Sequence, residues 1–250
     1  MKRMTVCFAC LLLVSMPSFF ALAAEPDDQS AAAPAENSKA QSDAEEGFVS
    51  MFNGKNLDGW EGKPGGWWVE DGTLTSQSTE ENPCIKHHYL YWKTAEPADF
   101  VLRFSYKLVG GNSGIQFRSE KRPDWDTFGY QADMEAGEQW TGCLFQHVRG
   151  GVAMRGEKVV YAEDGTKTVE QFADTTELQK LIRQNEWNDY EVIADGSRVV
   201  LKINGHLMAE VDDRDAKNAC RKGILALQMH PGPPMKVQFK NLRIKIMDEK

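Results

Sequence analysis

From Phe48 onward, apolar and polar positions alternate with a period of two. Phe100, Leu102, Phe104, Tyr106 and Leu108 are separated by Val101, Arg103, Ser105 and Lys107. Val199, Leu201 and Ile203 alternate with Arg198, Val200 and Lys202, and Met235, Val237 and Phe239 with Lys236, Gln238 and Lys240. Successive side chains of a strand point to opposite faces, so each run predicts a strand with one face in a core. Leu242, Ile244 and Ile246 continue the last run out of phase, which predicts a bulge near Asn241. Asp195-Gly196 and Asn204-Gly205 are predicted hairpin turns, because such turns need the positive φ that Gly and Asn tolerate. They imply a meander from about Tyr190 to Val211. One helix is predicted, in Thr175 to Gln184, capped by Thr175 or Thr176 and facing the core with Leu178, Leu181 and Ile182. Many short strands with Gly, Asn and Asp turns predict an all-β fold, a two-sheet antiparallel jelly-roll sandwich.

The first residues do not follow this pattern. Lys2 and Arg3 precede an apolar run from Val6 to Val14, and Ala21-Leu22-Ala23-Ala24 supplies a small-x-small end. That is the form of a secretory signal peptide over residues 1–24, cleaved after Ala23 or Ala24. Residues 25–46 are Ala, Ser, Pro and acid, with seven acidic residues, one Lys and no aromatic side chain. Such a stretch cannot bury enough surface to offset its ordering entropy and is predicted to be a disordered acidic linker. The domain is expected to span 47–250. An exported protein, periplasmic or secreted, with no membrane span after signal cleavage, is the expectation.

The chain has 250 residues and a formal net charge of −8. Its folded part is mildly acidic and has no basic block, which argues against nucleic acid as a partner. Cys84, Cys143 and Cys220 remain after signal removal, none in CxxC spacing, so a zinc cluster is not expected. Each fits a small core residue, or two of them one disulfide. Trp60, Trp67, Trp68 and Trp92 are read as core or sheet-packing residues, and His87-His88 as a surface pair with no carboxylate nearby in sequence.

The candidate chemistry lies in Gly129-Tyr130-Gln131-Ala132-Asp133-Met134-Glu135. On a strand, Gln131, Asp133 and Glu135 share one face, with Tyr130, Ala132 and Met134 behind. Jelly-roll glucanases of the laminarinase and lichenase kind carry Glu-x-Asp-x-Glu in a similar frame. Here an amide occupies the nucleophile position, and an amide cannot form the glycosyl ester of a retaining mechanism. Asp133 and Glu135 would also approach a sugar from the same side, whereas inversion needs opposite sides. A single carboxylate suits a different reaction. A ketone at C3 acidifies the C2 hydrogen, one base removes it, and the C1 substituent leaves by elimination. Water then adds back, and the net result is hydrolysis. Asp133 or Glu135 is the candidate base. Arg118 and His230 are candidates for stabilising charge, and Asp133 and His230 are candidate ligands should a divalent metal ion take part. Asn112, Gln116, Gln131 and Gln228 are candidate substrate contacts, with Trp140 and Trp187 as aromatic faces for a sugar ring.

Several segments in order carry a family resemblance: "FVSMFNGKNLDGWEG" (48–62), "WWVEDGTLTS" (67–76), "FVLRFSYKLVGGNSGIQFRS" (100–119), "GYQADME" (129–135), "TGCLFQ" (141–146), "NEWNDYEVIADGSRVVLKINGHLMAEVDD" (185–213) and "KGILALQMHPGPPMKVQFKNLRI" (222–244). Together they resemble the 3-keto-disaccharide hydrolase domain family, over essentially all of 47–250. The resemblance implies a concanavalin/glucanase-like jelly roll and cleavage of oxidised, 3-keto glycosides, with a divalent metal in some members. It places functional weight on Asn112-Ser113-Gly114, Arg118, Gln131, Asp133, Gln228 and His230. A 3-keto substrate has to be made by oxidation, so a sugar oxidoreductase is an expected partner. A non-catalytic carbohydrate-binding module on the same fold is the rival reading, and an envelope structural protein the third.

Overall fold

The computed structural model describes residues 47–248. The signal peptide and acidic linker predicted over 1–46 lie outside them. Among the described residues the alternation resolves into two sheets. One has ten strands, β1 (Val49–Ser50), β3 (Trp68–Glu70), β4 (Thr73–Ser78), β6 (Phe100–Val109), β11 (Glu157–Tyr161), β12 (Lys167–Gln171), β13 (Asn188–Asp195), β14 (Arg198–Ile203), β15 (His206–Asp213) and β17 (Met235–Ile246). The other has seven: β2 (Trp60–Gly62), β5 (His88–Trp92), β7 (Asn112–Arg122), β8 (Asp126–Glu135), β9 (Leu144–Gln146), β10 (Gly150–Ala153) and β16 (Ile224–Met229). The larger sheet runs β12-β11-β15-β14-β13-β6-β17-β4-β3, with β1 beside β17; the smaller runs β10-β9-β8-β7-β16-β5-β2. Strand pairs are antiparallel except β11 with β15. This is a jelly-roll sandwich.

The core between the sheets takes the apolar member of each alternating pair: Phe100, Leu102, Phe104, Tyr106 and Leu108 from β6, Ile115 and Phe117 from β7, Tyr130, Ala132 and Met134 from β8, Val237 and Phe239 from β17. Burying each such large side chain contributes roughly 1.5–3 kcal/mol. Register follows from these patterns, since a slip of one residue would place every apolar group of a strand in water.

The turns resolve as two-residue loops. Asn204 and Gly205, both at positive φ, join β14 to β15. The β13–β14 loop is Gly196-Ser197, because Asp195 still pairs with Arg198; the turn lies one residue later than predicted. The β17 bulge falls where the phase change placed it, with a register shift between Lys240 and Arg243 and Asn241 at φ 56°. The helix α1 is short, Thr175–Gln179. It is capped by Asp174 rather than by a Thr, the Asp174 carboxylate accepting from the backbone N–H of Thr176 and Glu177. Cys84, Cys143 and Cys220 are free thiols, and Cys143 is buried in the core. No helix among the described residues is long and apolar enough to cross a membrane.

The outer face of the seven-stranded sheet positions the site. Near one end it is covered: Tyr89, Tyr91, Ile224 and Ala226 form a second small apolar cluster beneath Trp125. The chain reaches this arrangement through Asp124 and Trp125, both at positive φ, in the loop between β7 and β8. Trp125 stacks on Tyr91 at 6.0 Å, and its carbonyl accepts from the Tyr89 N–H. The rest of that face is open.

Candidate functional site

The open part is a cleft of about 360 Å³. Its floor comes from neighbouring strands: Gln131, Asp133 and Glu135 from β8, Asn112 from β7, Gln228 from β16, and His230 just past the end of β16. With Tyr130, Ala132 and Met134 turned into the core, β8 alternation leaves its polar residues on this face.

Asp133 is a buried acid of this cleft. Only 3% of its surface is exposed. Burial raises its pKa from the ordinary carboxylate range to about 8; the Gln131 hydrogen bond works against this rise and the nearby Glu135 charge adds to it.

Its orientation is fixed by a chain of amides. Ser119 Oγ donates to Gln116 Oε1 at 2.7 Å, and Gln116 Nε2 donates to Gln131 Oε1 at 2.8 Å. Gln131 Nε2 is then left to donate to Asp133 Oδ1 and to Gln228 Oε1, while Gln228 Nε2 donates to the Tyr89 hydroxyl at 2.8 Å. The Asp133 carboxylate accepts, so Gln131 turns its Nε2 toward it and leaves Oε1 to accept from Gln116. Gly114, opposite Asp133 in the ladder, makes room for this: a Cβ there would lie 2.6 Å from Gln131 Cγ and Cδ. Gln116 therefore supports Gln131 from beneath and does not itself line the cleft.

Glu135 has a different task. Its Oε2 accepts from the backbone N–H groups of Gln139 and Trp140, which ties down the loop after β8. Arg155 holds the same loop from outside by donating to the carbonyls of Glu138 and Thr141. The loop presents Trp140 to the cleft, and Trp140 continues into an aromatic row through Phe145, His147 and Phe128, with ring centroids 5.4 to 6.0 Å apart. Phe145 and His147 line the cleft and did not stand out in the sequence.

Two further imidazoles face it. His230 Nδ1 donates to the Pro231 carbonyl at 2.6 Å, so its Nε2 is the acceptor in the neutral ring, and burial holds its pKa below the ordinary histidine value. His87, from the loop before β5, pairs through Nε2 with Asp126 Oδ1 at 2.9 Å. The His87-His88 pair is thus not a surface pair. His88 is buried against Trp67, and burial lowers its pKa to about 4. The carboxylate beside His87 comes from a strand far off in sequence.

Two expected site residues lie elsewhere. Arg118 does not face the cleft. The register of β7 shifts between Phe117 and Glu120, and Arg118 takes φ 47°, which rotates it out of the alternation. Its guanidinium instead pairs with Asp99 at 2.8 Å and donates to the carbonyls of Ala98 and Gly196. Trp187 precedes β13 in the other sheet and carries the Lys240 ammonium 4.0 Å from its ring centroid. Among the described residues no three His, Cys, Asp or Glu side chains gather to hold a metal ion. The donor set for the divalent metal that the resemblance implies is not assembled around Asp133 and His230.

A model of the 3-keto-alpha-glucoside-1,2-lyase-like domain family matches residues 47–245. Comparison with curated proteins gives no match. Among solved structures, the chain is similar to a candidate glycosyl hydrolase from Parabacteroides distasonis at TM-score 0.55 and 19% identity, covering 80% of this chain and 99% of that one. A second such protein from the same organism aligns at TM-score 0.53 and 20% identity, over 81% and 95% of the two chains. A structure from work on endo-acting O-glycanases of the human gut microbiota aligns at TM-score 0.50 and 12% identity, over 80% and 98%. At these identities the structural likeness speaks to the fold alone.

Proposed function

The chain belongs to the 3-keto-alpha-glucoside-1,2-lyase-like domain family, a carbohydrate-acting family, and from that premise we propose that it cleaves 3-keto glycosides by elimination, with hydration completing a net hydrolysis. The observation that carries this is Asp133: one buried carboxylate, its pKa raised to about 8, aimed into a cleft with an amide rather than a second carboxylate at its side. Such a group is a strong single base and has no partner nucleophile.

In this reading Asp133 removes the C2 proton of the oxidised ring. The Asn112 amide, which makes no hydrogen bond to another described residue, donates to the C3 oxygen as the enolate forms. Trp140 and Phe145 take the apolar face of the ring, and His230 Nε2 accepts from a sugar hydroxyl. Arg118 is dropped from the charge-stabilising set, since its guanidinium is consumed by Asp99 and backbone carbonyls. The substrate calls for an earlier reaction that oxidises a C3 hydroxyl, and the predicted signal peptide would place the reaction outside the cytoplasm.

The test is incubation of the purified protein with a 3-keto glucoside and with its unoxidised parent. Cleavage of the first alone, lost in Asp133→Asn, supports the reading; cleavage of neither overturns it. A binding module is the second reading, favoured by the upward shift that burial gives the Asp133 pKa, since the protonated acid can donate to a sugar hydroxyl. Glycan affinity without turnover would select it.

A further inference from the structure

The elimination written above needs an acid as well as a base, because an alkoxide leaves C1 poorly. We propose that His87, held by Asp126, is the acid that protonates the departing oxygen; this rests on the elimination reading of the same cleft.

The assignment comes from how each titratable group of the cleft is already engaged. Glu135 accepts two backbone N–H bonds through Oε2, which fix it to the loop. His230 donates Nδ1–H to a carbonyl and has no carboxylate partner, and burial disfavours its charged form, so Nε2 is placed to accept. His147 stacks on Phe128 and meets Phe145 edge-on, with its Nδ1 against the backbone of Gly129. His87 differs from all three. Its Nε2 hydrogen goes to the Asp126 carboxylate, which is itself braced by the Thr127 N–H. Its Nδ1 makes no hydrogen bond to another described residue, and the ring lines the cleft. With the Asp126 carboxylate behind Nε2, the nitrogen left to exchange a proton with a ligand is Nδ1. The ring packs on Tyr89 at 5.7 Å, which limits its rotation.

The balance is as follows. The C2–H bond breaks, the proton passes to Asp133, and its electron pair forms the C1=C2 double bond conjugated to the ketone. The C1–O bond breaks, its pair stays on the departing oxygen, and that oxygen takes the Nδ1 proton of His87. In the return step water adds across C1=C2. His87 takes a proton from the water as its oxygen bonds C1, and Asp133 returns the first proton to C2. One water is consumed and both residues regain their starting states.

The leaving group discriminates. A 3-keto disaccharide departs as a basic alkoxide and needs the acid, whereas a 3-keto 4-nitrophenyl glucoside departs as a stable anion and does not. His87→Ala is expected to lose about 10²–10⁴-fold in kcat/KM on the disaccharide, and less than tenfold on the nitrophenyl glucoside. Asp126→Asn should show the same contrast to a smaller degree. Equal losses on both substrates, or no loss on either, in variants whose thermal unfolding matches wild type would overturn the acid role. Wild-type protein that cleaves neither substrate would overturn the elimination reading itself, and this proposal with it. Wild-type cleavage with no contrast in the variants would overturn His87 alone.

Discussion

Gln131 and Asp133 project from the same face of β8, and the amide of the first donates to the carboxylate of the second. In a glucanase-like row the first position would carry a charge. Here it carries a donor, whose carbonyl oxygen accepts from Gln116. The donor keeps a buried carboxylate oriented, while the low dielectric around it keeps its basicity high.

That arrangement makes stability depend on pH. The folded pKa of Asp133, about 8, lies above the ordinary 3.8, so the folded state holds this proton more tightly than the unfolded chain. Its contribution is fully present below about pH 4 and is lost as pH rises through 8. Asp133→Asn should remove this slope and raise stability above pH 8 by on the order of a few kcal/mol. Denaturant unfolding of both proteins at pH 6 and pH 9 checks it: the variant should gain more at pH 9.

Gln131→Glu restores the glucanase-like spacing of acids. A second carboxylate beside Asp133 opposes its ionisation and pushes its pKa further up. The expected outcome is a rate–pH profile on a 3-keto glucoside displaced upward by roughly a unit, with activity at pH 7 down about tenfold. No activity on an unoxidised β-glucan should appear. Rate–pH profiles of the two proteins, with a β-glucan control, measure this.

Arg118 is a structural ion pair. Removing one partner of a buried pair strands the other, at a cost of about 3–5 kcal/mol. Arg118→Met should lower the Tm markedly while the folded fraction keeps its kcat/KM. A selective loss of kcat at unchanged Tm would return Arg118 to the site.

The two tryptophans separate by sheet. Trp140→Ala removes an aromatic wall of the cleft and should raise KM roughly tenfold or more. Trp187→Ala, just before β13 of the ten-stranded sheet and against Lys240, should leave KM unchanged. Steady-state kinetics on one substrate compares them.

The strands were legible because period two has a direct physical cause: Phe100 to Leu108 faces the core along its whole length, and the phase change at Asn241 became a bulge. The polar face of β8 was legible for the same reason. Arg118 was not, because the β7 register shift depends on how that strand meets β8 and β16 rather than on its own alternation. Nor was the His87–Asp126 pair, whose members meet only after the β7–β8 loop folds over the sheet. Phe145 did not stand out, because its place in the cleft wall needs Trp140 and His147 on either side of it. The helix cap shifted to Asp174 because a carboxylate one residue earlier reaches two N–H groups at once.

The central claim, that Asp133 takes a proton from carbon, is tested most directly by replacing that proton. A 3-keto glucoside deuterated at C2 should be cleaved by the wild-type protein more slowly than its protiated twin, and Asp133→Asn should cleave neither. Equal rates on the two isotopologues, together with turnover surviving in Asp133→Asn, would contradict it.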